Sequence, residues 1–77
     1  MKMDYIKELK KIGKSEINFS IEYFFDSCWN FIIGDWMNGI EWEEDFHEFE
    51  EGFMAFISKI HELYPTSKYI LELEKRK

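Results

Sequence analysis

Two runs of alternating residues, turned back on each other at Asn38-Gly39, constrain this chain more than any other feature. In "INFSIEYFF", Ile17, Phe19, Ile21, Tyr23 and Phe25 alternate with Asn18, Ser20, Glu22 and Phe24. Period two in β-branched and aromatic residues predicts a half-buried strand. "DSC" reads as a short turn, "WNFIIGDWM" as a second strand and "IEWEEDF" as a third, with Asn38-Gly39 a strong two-residue hairpin signal. That turn pairs Met37 with Ile40, Asp35 with Trp42, Ile33 with Glu44 and Phe31 with Phe46. A three-residue turn over Asp26–Cys28 pairs Phe25 with Trp29, Tyr23 with Phe31 and Ile21 with Ile33. Both hairpins then place one set on one face: Ile17, Phe19, Ile21, Tyr23, Phe25, Trp29, Phe31, Ile33, Met37, Ile40, Trp42 and Phe46. A slip of one residue would invert that face, so the agreement supports a three-stranded meander. Asp35 and Glu44 are the exceptions and are expected toward the sheet's open ends.

Helical spacing brackets the strands. Tyr5, Ile6, Leu9 and Ile12, with lysines between them, predict an amphipathic helix over about 3–12, stopped by Gly13. Phe49, Phe53, Phe56, Ile57, Ile60, Leu63 and Tyr64 form one wide apolar stripe of a longer helix. Asp45 is placed to cap it, with Glu48 at the third helical position, and Pro65 to end it. A short last helix follows, capped by Thr66 or Ser67. The expectation is an α+β domain of order α-β-β-β-α-α, a three-stranded antiparallel meander with one face covered by the long helix. At 77 residues the chain makes a single domain, 1–77. Aromatic residues are 19% of it, enough to build a compact core without disulfides or metal.

Charge is unevenly distributed. Residues 1–14 carry +3 and residues 59–77 carry +2, while residues 15–58 hold eleven acids and no Lys or Arg. The densest part is "IEWEEDFHEFEE", with acids at seven of twelve positions. Cys28 is the single cysteine, so no internal disulfide is possible, and a secreted domain of this size would normally carry several. The beginning of the chain lacks the pattern of a signal peptide, and no stretch has the length of a membrane span. These features point to the cytosol.

Catalysis finds little support. The four glycines are scattered singly, no nucleophile is placed beside an orienting base, and Cys28 has no neighbouring cation to activate it. The chain reads as a non-enzyme. His47 and Glu51, at i and i+4 with Asp45 and Glu50 near, offer oxygen-rich ligation for a cation. Helix capping accounts for the same acids, so no metal and no cofactor is expected. Direct nucleic-acid binding needs a cationic footprint, which the acidic block opposes.

The opposite sign makes a better hypothesis. Glu22, Asp26, Glu41, Glu43 and Asp45 fall on the meander's outward face with Phe24, Ile32 and Trp36. Same-face residues recur at about 6.5–7 Å, so Glu41, Glu43 and Asp45 form a row, continued by Glu48, Glu50 and Glu51 around the helix start. Such a row suits the cationic groove of a nucleic-acid-handling protein, with Glu22, Trp36, Glu41, Glu43, Asp45, Glu48, Glu50 and Glu51 as the partner-binding set. The competing reading is a solvated acidic face that keeps an aromatic-rich protein in solution.

In its element order, its Asn38-Gly39 hairpin and its anionic run Glu41 to Glu51, the chain resembles small acidic phage-encoded inhibitors, the type II anti-CRISPR DNA mimics. The resemblance covers nearly the whole chain at the level of architecture. It implies a Cas nuclease as partner, met at its Arg- and Lys-rich DNA-entry surface in the cytosol of a bacterial host. Small acidic immunity proteins that neutralise nuclease toxins are a second resemblance with the same physical basis. A third reading is a homodimeric module, with Trp36 and Phe24 as self-association residues.

Overall fold

A computed structural model describes residues 4–76. The order is α1 (Tyr5–Lys14), β1 (Phe19–Tyr23), β2 (Trp29–Asp35), β3 (Gly39–Phe46), α2 (Phe49–Leu63) and α3 (Lys68–Lys75). The three strands form one antiparallel sheet in the order β1-β2-β3. All three helices pack on the same face of it, making two layers in a body 38 × 35 × 18 Å across. The α-β-β-β-α-α order read from the sequence is the order found.

The core is a continuous cluster of Ile12, Ile17, Phe31, Ile33, Phe53, Phe56, Ile60, Tyr69 and Ile70, drawn from α1, the connection after it, the sheet, α2 and α3. Burying each of these large side chains contributes about 1.5–3 kcal/mol. Gly52 sets how closely α2 approaches the sheet. A Cβ there would lie 2.3 Å from the Phe31 ring and 2.9 Å from that of Phe46, so the rings rest on bare helix backbone.

Both hairpins keep the expected apolar face but pair two residues out of the predicted register. Tyr23 faces Trp29 and Ile21 faces Phe31; Trp29 faces Phe46, Phe31 faces Glu44 and Ile33 faces Trp42. The first connection takes five residues, because the Phe24 carbonyl accepts the N–H groups of Ser27 and Cys28 at 3.0 and 3.1 Å. In the second, the Asp35 carboxylate accepts the N–H groups of Met37 and Asn38 at 3.0 and 2.7 Å, making a turn of Trp36–Asn38. Phe25 and Met37, expected in the core, therefore lie in turns and are exposed, as are Tyr23 and Ile40. Asp35 sits at the sheet's end as expected. Glu44 does not: it stands in mid-strand and stays exposed on the edge.

A bulge then corrects β3. The register shifts between Ile33 and Gly34, leaving Glu41 unpaired, and this returns Trp42 and Phe46 to the helix side. Gly34 makes the bulge possible. Its φ is +103°, and a Cβ would meet the Gly39 carbonyl oxygen at 2.4 Å.

Helix ends differ in detail from expectation. Asp4 caps α1 by accepting the Lys7 N–H at 3.2 Å. The helix runs through Gly13, and the left-handed residue that ends the motif is Glu16, at φ 63°. Asp45 does not cap α2, because it belongs to β3; Glu48 occupies the cap position without a side-chain bond. Ser67 caps α3. Between α1 and α3 the buried Glu8 carboxylate accepts the Tyr69 hydroxyl at 2.9 Å and the two terminal guanidinium nitrogens of Arg76 at 3.4 Å.

Candidate functional site: the acidic outer face

None of the described helices covers the other side of the sheet. By alternation from the core residues it presents Ser20 and Glu22 of β1, Asn30 and Ile32 of β2, and Glu43 and Asp45 of β3. Asn30 is the centre of this face. Only 6% exposed, its side-chain amide donates to Glu43 Oε2 at 3.2 Å and to Asp45 Oδ1 at 2.7 Å. Glu22 stands directly across from it on β1. A buried amide donor thus orients two carboxylates while leaving both charges exposed to water. Sequence reasoning missed Asn30, although a lone amide in an apolar strand opposite a run of acids was a legible sign.

Glu41 leaves the predicted row. As the bulged residue it turns to the Tyr64 hydroxyl at the end of α2, which donates to Glu41 Oε2. That bond, with partial burial and the Glu41 charge behind it, pushes the Tyr64 phenol up to about 12. The acids of the uncovered face are therefore Glu22, Glu43 and Asp45; Glu48, Glu50 and Glu51 are exposed at the start of α2, the helix that follows β3 and packs on the other side of the sheet.

Trp36 is 89% exposed, but it sits in the β2–β3 turn, at the far end of the sheet from α2's start. Seven strand residues separate the two ends, about 20 Å. At the end of the sheet where α2 starts lie instead the exposed Phe24 and the 90% exposed Phe25, in the turn whose Asp26, Ser27 and Cys28 line a cleft with Asp45, Phe46 and His47. His47 precedes α2, so it and Glu51 do not share a helix face as the i, i+4 spacing suggested. At the Trp36 end, the Asn38 side chain and backbone, then Met37 and Asn18, hold the Asp35 carboxyl below its usual range; that charge serves the turn.

Among the described residues the ion pairs are Lys59–Glu62, His61–Glu74 and Arg76–Glu8. None involves an acid between Glu16 and Glu51. Lys11, Lys14 and Lys68 instead gather around a cleft where α1 meets α3, on the helix side of the molecule. No described helix is long and apolar enough to cross a membrane. Compared with protein-family models, curated proteins and solved structures, the chain matches none.

Proposed function

We propose that the protein is a non-enzymatic inhibitor that lays its acidic outer face into the cationic nucleic-acid-binding groove of a protein partner, as a DNA mimic does. Glu22, Glu43 and Asp45 meet Arg or Lys of the groove in charge-assisted hydrogen bonds. Glu48, Glu50 and Glu51 extend the contact, and Phe24 and Phe25 supply an apolar anchor at the same end. Glu41 and Trp36 serve the opposite rim. The observation that carries this reading is that no acid of this surface is paired with a lysine or arginine of the described chain. A surface whose acids served stability would be expected to intersperse them with cations.

The test is capture of partners from bacterial lysate at low salt, with duplex DNA as competitor. The expected captured protein is a nucleic-acid-handling one, released by DNA and by salt, and lost by Glu22→Gln/Glu43→Gln/Asp45→Asn. These substitutions remove charge but keep a carbonyl to accept the Asn30 bonds. The identity of the captured protein separates a Cas nuclease from a nuclease toxin. Capture that DNA does not compete, or that the triple variant retains, refutes the proposal.

A further inference from the structure

The two edges of the sheet are built differently. β3 ends it with a bulge and four acids from Glu41 to Asp45, features that keep a sheet edge from pairing with another chain. β1, "FSIEY", carries one acid and neither lysine nor proline.

Its hydrogen-bonding groups are available. Gly34 N–H donates to the Asn18 carbonyl and Phe24 N–H to the Cys28 carbonyl. In the same register, Ser20 and Glu22 are the β1 residues that bond to β2. The N–H and C=O groups of Phe19, Ile21 and Tyr23 therefore point away from the sheet. Among the described residues none of them meets another backbone group outside the strand pairing. Beside this edge, Tyr5, Ile6 and Leu9 of α1 line an open apolar groove with Ile21, Trp29 and Phe49, Tyr5 packing edge-on against Phe49, and Ile6 and Tyr23 are 63% and 59% exposed.

We propose that this edge is a homodimer interface in which two copies pair their β1 strands antiparallel about Ile21. The register is self-complementary. Ile21 faces Ile21, and Phe19 faces Tyr23 of the other copy, all on the helix side, where they extend the apolar groove. On the outer side Ser20 faces Glu22, so no two glutamates are directly opposed. The opposed pairs Ile21–Ile21 and Phe19–Tyr23, whose backbone groups point away from β2, each exchange two N–H···O bonds. The six-stranded sheet then runs β3-β2-β1-β1-β2-β3, which holds the two acidic edges about 24 Å apart, five strand spacings, and keeps both acidic faces on one side. A second copy fits this edge because the same residues satisfy both sides, as a two-fold interface requires. The proposal does not rest on the inhibitor reading.

Sedimentation equilibrium of the full chain from micromolar to millimolar concentration tests it, together with amide exchange of Phe19, Ile21 and Tyr23. The expected result is a monomer–dimer equilibrium in which those three amides slow as concentration rises. Ser20→Glu, at an exposed position, opposes two carboxylates twice per dimer and weakens association about tenfold. Ser20→Glu/Glu22→Lys restores it, because the opposed pairs become Glu and Lys. A monomer throughout, edge amides indifferent to concentration, or a double variant that fails to recover overturns the proposal. Were Ser20→Glu not to fold, wild-type amide exchange would decide alone.

Discussion

Glu8 and Glu43 carry the same side chain and receive opposite treatment. Glu8 lies between α1 and α3 at 4% exposure, and the fold supplies it with the Tyr69 hydroxyl and the Arg76 guanidinium. Glu43, on the uncovered face, receives one amide hydrogen bond from Asn30 and, among the described residues, no cation. Burying a charge without a partner is costly, so the junction required the arginine. Water serves an exposed carboxylate well enough, so folding placed no such demand on the outer face. The acids displayed there are free to interact with something else, and that contrast is the basis of the functional reading.

The largest effect is expected at the bulge that divides Glu41 from Glu43 and Asp45. Gly34→Ala forces a side chain into a positive-φ position against the Gly39 carbonyl, and destabilisation of about 3 kcal/mol is expected in urea titration. A neutral result would mean that Glu41 is not set apart by the bulge. Next comes the buried acid. Glu8→Ala leaves the Tyr69 hydroxyl without its acceptor and should cost about 2 kcal/mol.

The same contrast has a pH signature. Burial pushes the Glu8 carboxyl up, but the bonds from Arg76 and Tyr69 and the charges of Arg76 and Lys11 outweigh it and hold its pKa below the ordinary 4.5. Its contribution is therefore complete above pH 4.5 and is lost as pH falls through the lowered value. Unfolding titrations across this range should show a loss in the wild type that is reduced in Glu8→Ala. Tyr64→Phe, which removes the bond to Glu41, should cost about 1 kcal/mol. The Tyr64 pKa is raised, so its contribution is full below pH 10 and fades as pH climbs toward about 12; ultraviolet difference titration of the phenolate checks this.

The smallest stability change belongs to the displayed acids. Glu22→Gln/Glu43→Gln/Asp45→Asn should alter stability by less than about 0.5 kcal/mol at moderate salt. The wild type should be stabilised by added salt more than this variant is, since salt screens repulsion among unpaired acids. An equal salt response would mean that the acids do not crowd one another.

The architecture was readable because the strands announce themselves by period two and α2 by its stripe from Phe49 to Leu63. Face assignment survived a register error because both hairpins slipped by two residues, which preserves alternation. Turn chemistry was harder to read. The carbonyl of Phe24 and the carboxylate of Asp35 each gather nearby N–H groups and lengthen the turns, and neither is visible as a pattern of apolar residues. The row Glu41, Glu43 and Asp45 failed for a related reason: one bulged residue, permitted by Gly34, breaks strict alternation and sends Glu41 to Tyr64. Parity alone assigns Phe25 to the core, but the longer turn carries it to the surface near Asp45. Tyr69, Arg76 and Glu8 are too far apart in sequence for spacing to reveal that they meet.

In the proposed complex Glu22, Glu43 and Asp45, which have no cationic partner among the described residues, meet positive charge on another protein. The dissociation constant for the captured partner, measured against salt concentration for the wild type and for Glu22→Gln/Glu43→Gln/Asp45→Asn, tests it most directly. Wild-type affinity should fall steeply with salt, and the neutral variant should bind about a hundredfold more weakly at low salt with a flatter dependence. Equal affinity and equal salt dependence in the two proteins would mean that these carboxylates do not bind the partner.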